Sequence, residues 1–480
     1  MIGLTKDRSL AGDFMAQSET QQPTIELEDG ACVAVIGGGP AGSFASYFLL
    51  DLAARMGMEL QVDIYEPRDF TKPGPASCNH CGGIISESLV QILATDGINL
   101  PATVVQRGID SYVLHMDVGS IRIDTPLQEK RIASIHRGAG PRGIEQIKWG
   151  SFDGYLQRLA VDKGARVVQQ RVAGVSRVGD RPQVEIQNDM AHIYDLVVAA
   201  VGVNTNILKT FQGLEFGYEP PRTTKTYICE LPLGAAAVQK YVGNSMHVFL
   251  LNLPRIEFAA LIPKGDYVTV CLLGEDIDKE LIQAFLNSPE VGQCLPPGWS
   301  APATLCHCGP RINIEAAVRP FGDRIVLVGD CGATRLYKDG IGAAYRTAKA
   351  AANTAVFNGI GAEDFRRHYE PAYRAITADN AIGKIVFATT QRIQNRRLGR
   401  RAILRMVASE QRKEGRRRSM STVLWDTFTG SAPYREIFMR TLHPAFAFQF
   451  LWHAAVACGA RALSWRFLTT ERRLKAGAPS

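Results

Sequence analysis

The feature that most constrains this chain is a glycine-rich turn that directly follows a short apolar run. Residues 33–36 are all apolar and predict a buried parallel strand, and Gly37, Gly39 and Gly42 then give the spacing Gly-x-Gly-x-x-Gly. In such a turn the first glycine permits the tight bend, the second lets the backbone approach a diphosphate, and the third lets the next helix lie close to the strand. The free N–H groups at the start of that helix face the phosphates. The sequence therefore predicts a strand, a turn and a helix that bind a dinucleotide.

The acidic residue after the second predicted strand narrows the choice of dinucleotide. Residues 60–65 predict this strand, and Glu66 ends it where an acidic side chain accepts hydrogen bonds from an adenosine ribose. The same carboxylate disfavours a 2′-phosphate, so we expect FAD or NAD rather than NADP. A glycine turn without a ligand is the alternative, because such turns also occur where nothing binds.

The positive charge of the chain is concentrated in one segment. The 480 residues carry a net charge of +7, and residues 391–418 alone contain eleven Lys or Arg and two Glu, which leaves −2 for the rest. This distribution predicts a local anionic partner. Because the segment has no interleaved aromatic residues for base stacking, we do not expect nucleic acid to be that partner.

Cysteine usage and the first residues indicate the compartment. Ten cysteines are scattered along the chain, which favours a reducing environment. Residues 1–30 are polar and of mixed charge, without the apolar core of a signal peptide. We expect them to form a flexible N-terminal extension on a cytoplasmic protein.

Four separated segments resemble one flavoprotein family. They are the Gly37 to Gly42 turn with Glu66, the loop at residues 78–86, the apolar strand at 195–204, and Gly329-Asp330 with the glycines of 339–342. In this order they are similar to the FAD-dependent geranylgeranyl reductase-like flavoproteins, relatives of the aromatic hydroxylase fold. In that family the acid after the last strand holds the ribityl chain or diphosphate, and the glycines at the next helix start face the isoalloxazine ring.

The resemblance implies a set of cofactor-binding residues for FAD. They are Gly37, Gly39, Pro40, Ala41, Gly42, Glu66, Gly202, Asp330, Gly340, Ile341 and Gly342. Physical chemistry supports the last group, because a helix beginning near Gly340 directs its positive N-terminus toward the negative edge of a reduced flavin. Two positions depart from the family. Val201 precedes Gly202 where the family often has an acid, and Ala260 stands where it has tryptophan.

The predicted fold class is α/β: a Rossmann-like FAD-binding domain, an inserted antiparallel β-sheet substrate domain and a helical C-terminal region. Buried strands and helix-period patterns assign 31–105, 135–220 and 318–360 to the FAD-binding domain. Short β-rich runs assign 106–134 and 221–317 to the substrate domain, and 361–480 is the helical, basic, partly apolar region. No second glycine-rich dinucleotide turn follows a strand. Electrons are therefore expected from an external donor, such as transiently docked NAD(P)H, a ferredoxin or a quinol.

The cysteines near the flavin allow three interpretations. Cys78 and Cys81 form a Cys-x-x-Cys pair in the 78–86 loop, and Cys306 and Cys308 flank one histidine before the last strand. Together they are candidates for a zinc or iron–sulfur site. A dithiol that relays electrons is the second interpretation, and plain packing is the third.

The other catalytic candidates follow from the chemistry of alkene reduction. Hydride delivery from flavin N5 to an alkene needs a proton donor on the opposite side of the substrate. The predicted catalytic residues are Cys78, His80, Cys81, Tyr337 and Lys338. A structural role is the alternative for each of them.

The C-terminal region contains an uncharged stretch after the basic segment. Residues 443–460 lack charge but include Pro444, Gln449 and His453. A membrane crossing, a helix lying in the membrane surface, and burial against the protein are the three interpretations. We expect the second, with the protein peripheral on the inner membrane face.

These observations predict an FAD-dependent oxidoreductase that reduces or oxidises a hydrophobic small molecule or lipid, for example an isoprenoid C=C bond, at the membrane surface by hydride transfer at flavin N5. A flavin monooxygenase or halogenase is one alternative. A flavin-bearing electron-transfer or assembly partner of a membrane complex is the other.

Overall fold

The structure is a computed structural model, and it describes residues 25–74, 77–78, 81–125, 129–142, 149–300, 305–412 and 418–458. The described strands are β1 (Cys32–Ile36), β2 (Gln61–Tyr65), β3 (Ile84–Ile85), β4 (Val105–Ile109), β5 (Ser111–Met116), β6 (Gly119–Asp124), β7 (Ile132–Ile135), β8 (Arg166–Val168), β9 (Val172–Val178), β10 (Arg181–Ile186), β11 (His192–Ile193), β12 (Leu196–Ala199), β13 (Thr223–Lys225), β14 (Tyr227–Pro232), β15 (Ser245–Phe249), β16 (Ile256–Pro263), β17 (Tyr267–Gly274), β18 (Cys306–Cys308), β19 (Arg311–Asn313), β20 (Phe321–Gly322) and β21 (Ile325–Leu327). The described helices are α1 (Pro40–Met56), α2 (Glu87–Thr95), α3 (Phe152–Asp162), α4 (Leu208–Gln212), α5 (Ala235–Tyr241), α6 (Lys279–Leu286), α7 (Pro289–Gly292), α8 (Gly340–Phe357), α9 (Ala362–Asp364), α10 (Glu370–Gln394), α11 (Arg397–Gln411), α12 (Ser419–Thr429), α13 (Tyr434–Thr441) and α14 (444–458).

A six-stranded sheet with a parallel centre organises the first part of the fold. Its order is β20-β21-β12-β1-β2-β8, and only the edge strand β20 runs antiparallel to its neighbour. The apolar runs at 33–36, 195–202 and 324–330 supply β1, β12 and β21, so the predicted buried strands are confirmed. Because these strands are parallel, their carboxyl ends meet at one edge of the sheet.

Helices α1 and α8 cover one face of this sheet, and the three-stranded sheet β11-β10-β9 packs near the other. The rings of Phe44 and Tyr345 join α1 to α8 edge to face, with centroids 5.6 Å apart. A Cβ atom on Gly42 would lie 1.8 Å from the Gly37 carbonyl oxygen. Only glycine allows α1 to begin this close to β1, as the sequence predicts for the third glycine of the turn.

A second, seven-stranded sheet forms the β-rich part of the chain. Its order is β18-β14-β17-β16-β15-β5-β6, and only β15 and β5 pair in parallel. Along β16, Ala260 faces a large cavity and Leu261 faces the opposite side, under the helices α5 to α7. The combination of a Rossmann-type parallel sheet, a largely antiparallel second sheet and a helical C-terminal part confirms the predicted fold class.

The strands of the two sheets alternate along the chain, as an inserted domain requires. The first sheet takes strands between residues 32 and 65, 166 and 199, and 321 and 327, and the second takes strands from 111 to 124 and from 227 to 308. A small sheet, β3-β7-β4, lies between them. Near the start, Leu27 is buried and the Ile25 carbonyl accepts a hydrogen bond from the Ile360 amide at 2.6 Å. The exact domain boundaries stay a prediction.

The C-terminal helices pack on the cavity side of the seven-stranded sheet. Phe258 of β16 stacks on Phe387 of α10, with centroids 6.1 Å apart, and contacts Phe428 of α12 edge to face. Within the basic segment, Arg400 is buried and its guanidinium pairs with Asp117 in the β5–β6 turn. At least one arginine of the basic segment is therefore buried and forms an ion pair within the protein.

Helix α14 occupies most of the uncharged stretch. It leaves Phe448, Leu451 and Trp452 exposed, at 70%, 64% and 60% of their surface. Phe446 and Phe450 pack against the apolar cluster under the C-terminal helices. Within residues 25–458, so far as the structure describes them, we find no helix with the length and apolarity that a membrane crossing needs.

Candidate active site

One cavity of about 1020 Å³ lies at the edge of the six-stranded sheet where its parallel strands end. It extends from the glycine-rich turn to the face of the seven-stranded sheet that carries Phe258 and Ala260, and to the end of α12. The predicted cofactor residues that line it are Gly37, Gly39, Pro40, Ala41, Glu66, Gly202, Asp330, Gly340 and Ile341. These residues therefore lie around one cavity, and their role in binding a cofactor stays a prediction.

The glycine turn brings the backbone of α1 to the cavity. Gly37 has φ of 103°, and a Cβ there would lie 2.6 Å from the Ala200 carbonyl oxygen. Gly39 caps α1 without a side-chain hydrogen bond, Pro40 occupies the first turn, and that turn holds no acidic side chain. Its backbone N–H groups are thus available to an anion.

Glu66 holds the turn as well as lining the cavity. Its buried carboxylate accepts hydrogen bonds from the Gly38 amide at 3.0 Å and from the Arg68 amide at 3.0 Å. The Arg68 guanidinium donates to both carboxylate oxygens, at 2.9 and 3.0 Å. If Glu66 binds a ribose as predicted, the ribose hydroxyl groups would have to replace hydrogen bonds that Arg68 donates to the Glu66 carboxylate. The spacing of residues in the sequence does not reveal this competition.

The second helix that begins at the cavity is α8. Its cap residue Asp339 has φ of 52° and makes no capping hydrogen bond, because its carboxylate accepts from Arg346 at 3.0 Å and Arg335 at 3.3 Å. A Cβ on Gly340 would meet only ordinary contacts, with Thr334 Oγ1 at 3.4 Å as the nearest atom. A larger side chain at Gly340 therefore fits the protein but projects into the cavity. Gly342 does not line the cavity, and it is small because Asp339 packs on it.

Asp330 lies beside this helix start, as the resemblance implies. Burial raises the pKa of its carboxyl group, and the charge of Arg137 opposes that shift. The Asp330 carbonyl accepts a hydrogen bond from Asn313 Nδ2 at 2.7 Å. Asn313 lines the cavity, and its Oδ1 is buried without a hydrogen-bond partner within the described chain. Two open helix starts and glycines at the close approaches fit a bound FAD.

Arg137 is a cavity residue that the sequence reasoning missed. Its guanidinium binds the fully buried Asp153 carboxylate in a two-pronged pair, at 2.9 to 3.2 Å. Burial works to lower the pKa of Arg137, but Asp153 and Cys81 together outweigh it and raise the pKa. Because Asp153 also accepts from the Gly138 amide at 2.9 Å, the pair fixes the chain after β7.

Lys264 is the second residue that sequence reasoning missed. It is 1% exposed, and its ammonium group donates to the carbonyls of Gly82, Gly83 and Ile135 at 2.8, 2.7 and 2.9 Å. Burial lowers its pKa, while the charge of Glu230 acts in the opposite direction. In the sequence, Lys264 follows the apolar β16 in a Lys-Gly-Asp stretch that is typical of an exposed hairpin turn, so its burial carries no local signal.

The predicted cysteine cluster is only partly assembled. Cys78, Cys81 and Cys306 line a small cavity of about 30 Å³, and burial, together with nearby Cys78, raises the pKa of Cys308 to about 12. Among the described residues, however, the group of His, Cys or acidic side chains with ligand atoms close enough to share a metal lies elsewhere. A zinc or iron–sulfur site at these four cysteines is therefore not supported.

The remaining catalytic candidates lie in a loop that the C-terminal helices hold. Tyr337 lines the cavity with φ of 61°, and burial raises the pKa of its hydroxyl. Lys338 also lines the cavity, but its ammonium donates to the Thr427 and Asp426 carbonyls and lies 4.2 Å from the centre of the Tyr434 ring. Burial lowers the pKa of Lys338. The contacts of Lys338 therefore hold its loop against α12 and Tyr434. His80, the remaining catalytic candidate, lies outside the described residues.

Replacing Lys264 by methionine should loosen the 81–83 loop. The substitution removes one donor from each of three carbonyls, and we expect the free energy of unfolding to fall by about 2–4 kcal/mol. Urea denaturation measures this, with Lys240→Met on the exposed side of α5 as the control. A loss of less than about 1 kcal/mol for Lys264→Met, equal to the control, would contradict the assigned contact.

Comparison with known proteins shows the fold. No family model matches the sequence, and no curated protein resembles it significantly. Solved structures do. The flavin-dependent brominase Bmp2 is 13% identical, with a TM-score of 0.54 over 91% of this chain and 99% of that one. A flavoprotein/dehydrogenase from Cytophaga hutchinsonii is 14% identical, with a TM-score of 0.56 over 89% and 99%. A 2-methyl-3-hydroxypyridine-5-carboxylic acid oxygenase is 14% identical, with a TM-score of 0.53 over 77% and 94%. The chain therefore has the fold of these flavoenzyme structures.

Proposed function

We propose that the protein is an FAD-dependent oxidoreductase that acts on a hydrophobic small molecule. The observation that carries this proposal is the continuity of one cavity. At one end the cavity is lined by the starts of α1 and α8, and at the other by an apolar sheet face. The first end suits the diphosphate and ring of a dinucleotide, and the second suits an apolar substrate.

The residues that would hold FAD follow the ends of two strands, β1 and β21. The N–H groups around Gly39 and Ala41 would bind the diphosphate, Asp330 would bind the chain between diphosphate and ring, and Gly340 would lie against the ring. When bound, a flavin supplies hydride or oxygen chemistry at its ring.

The apolar end of the cavity supports a hydrophobic substrate. Its wall consists of alternating residues of neighbouring strands, together with one residue of α12: Ile228, Met246, Phe258, Ala260, Ile262, Leu273 and Phe428. The small Ala260 leaves room where the resembled family has tryptophan. We infer an extended apolar substrate, such as an isoprenoid chain, whose C=C bond is reduced.

Tyr337 is the proton donor that we infer for this reaction. Its side chain lines the cavity, and its hydroxyl carries a proton at neutral pH, since burial raises its pKa further above that range. Cys78 and Cys81 line the same cavity. They are further catalytic candidates, because they would lie in the cavity that holds the flavin ring.

Oxygen chemistry is the second candidate function. The solved structures with this fold include a brominase and an oxygenase, and an apolar pocket over a flavin serves an aromatic substrate equally well. The shape of the cavity does not distinguish reduction of a C=C bond from oxygen chemistry. An experiment on the reaction type is therefore needed.

FAD binding is tested by filling the cavity at the start of α8. Gly340→Leu should preserve folding but lower FAD affinity at least about tenfold, a loss of about 1.4 kcal/mol or more. Flavin fluorescence titration and the thermal melt of the apoprotein measure the two effects. Gly213→Leu is the matched control, because Gly213 is exposed at the end of α4 with φ of −69°. If wild-type protein takes up no FAD, or if Gly340→Leu binds it normally, the assigned site is wrong.

The reaction type is tested with the flavin reduced chemically. Without oxygen, FAD-loaded protein and geranylgeraniol should yield a product that gains two hydrogen atoms. Ala260→Asp should abolish this product while FAD stays bound, because it places a charge in the apolar wall, and Ala260→Val should retain it. If instead the protein leaves the prenyl chain intact and, in air, adds oxygen or bromine to a phenol, the oxygenase or halogenase function replaces the reductase.

We further propose that α14 contacts the surface of an anionic membrane. Exposed Phe448, Leu451 and Trp452 lie on this helix, and burial together with the charge of Arg405 in α11 lowers the pKa of His453. An arginine of the basic segment is thus close to the helix with the exposed apolar side chains, a combination that suits an anionic leaflet.

Vesicle binding tests this contact. The protein should sediment with phosphatidylserine vesicles, and Leu451→Ser with Trp452→Ser should weaken that binding at least about fivefold, since each exposed apolar side chain contributes about 1 kcal/mol or more on insertion. Val178→Ser, at an exposed apolar position in β9, is the control. Equal sedimentation of both variants would exclude α14 as the membrane contact.

A further inference from the structure

Three buried side chains converge on the side of the seven-stranded sheet that faces away from the cavity. His115 of β5, His247 of β15 and Cys294, just after α7, are each less than a tenth exposed. His115 Nε2 lies 2.9 Å from His247 Nδ1, and Cys294 Sγ lies 3.3 Å from His247 Nδ1 and 3.7 Å from His115 Nε2. Within the part of the chain that the structure describes, these are the side chains whose ligand atoms could share one metal ion.

The three distances match those around a single zinc ion. Zinc binds histidine nitrogen at about 2.0–2.1 Å and thiolate sulfur at about 2.3 Å. An ion about 1 Å out of the plane of these three atoms reaches all three bond lengths at once. A small shift that opens the distance between the two nitrogens from 2.9 Å to about 3.3 Å would give tetrahedral angles.

The outer nitrogens of both imidazoles have the partners that metal-binding histidines use. His247 Nε2 donates to the Val242 carbonyl at 3.2 Å, which leaves the Nδ1 lone pair directed at Cys294 and His115. His115 Nδ1 lies 2.8 Å from Ser120 Oγ, and the ring of Phe249 stacks on His115 at 4.6 Å. Such outer hydrogen bonds fix the tautomer and orient the ring toward the metal.

We propose that His115, His247 and Cys294 bind one zinc ion that fastens the segment after α7 to the sheet. The Cys294 thiol loses its proton to solvent when the ion binds, and both histidines bind as neutral imidazoles. The fourth position is open to a water molecule or to the Glu290 carbonyl oxygen, which lies 3.6 Å from Cys294 Sγ. Because the three ligands come from β5, β15 and the chain after α7, the ion ties together parts of the domain that are far apart in sequence.

Metal analysis of the purified, untagged protein tests this proposal. We expect about one zinc ion per chain, and replacement by Co²⁺ should give ligand-field bands and a thiolate charge-transfer band typical of tetrahedral coordination with sulfur. Cys294→Ala and His247→Gln should each lose the ion at zinc concentrations that saturate the wild type. Cys458→Ala and His307→Gln, at exposed positions, are the matched controls and should retain it.

If a variant fails to fold, the spectrum of the cobalt-substituted wild type still tests the proposal, because it does not depend on any substitution. A chelator should remove the ion and lower the melting temperature of the wild type, and added zinc should restore it. The proposal is overturned if the wild type contains no metal and gives no sulfur-to-cobalt band. It is also overturned if Cys294→Ala binds as much metal as Cys458→Ala. Either result would leave a hydrogen-bonded His–His–Cys cluster.

Discussion

The rest of the structure depends on the meeting of two helix N-termini at one sheet edge. Parallel β1 and β21 end at this edge, and α1 and α8 begin there without an acidic side chain in their first turns. Each helix start carries a partial positive charge, so the cavity between them favours an anionic ligand. The glycines permit this approach, since a Cβ on Gly37 or Gly42 would collide with backbone. The proposed dinucleotide, whose diphosphate and reduced ring are both negative, would suit both ends.

Features with a local cause could be predicted from the sequence, and those with a distant cause could not. The buried strands, the start of α1 and the position of Asp330 follow from apolar runs and glycine spacing. Lys264 could not be predicted, because the carbonyls that it binds are 129 to 182 residues away and its own surroundings are typical of a turn. Cys78 and Cys81 line the cavity, but the spacing of cysteines in the sequence could not show whether they form a metal site.

The C-terminal region illustrates the same limit. Its sequence is dominated by positive charge, which favours interpretation as a surface. In the fold, Arg400 is instead buried against Asp117, 283 residues earlier, and Arg335 donates to the Gly430 and Ala432 carbonyls at 2.6 Å. These contacts make the helices after α8 part of the cavity wall. They also hold the strained loop around Tyr337, so the C-terminal helices and the catalytic candidates depend on each other.

Amide hydrogen exchange with and without FAD tests the central claim most directly, because it reports each segment separately. If distant parts of the chain close around one flavin, FAD should slow exchange at the starts of α1 and α8, around Asp330, and at the end of α12 near Phe428. Exchange on the far side of the seven-stranded sheet should be unchanged. Unaltered exchange at the starts of both α1 and α8 in the presence of saturating FAD would contradict the account.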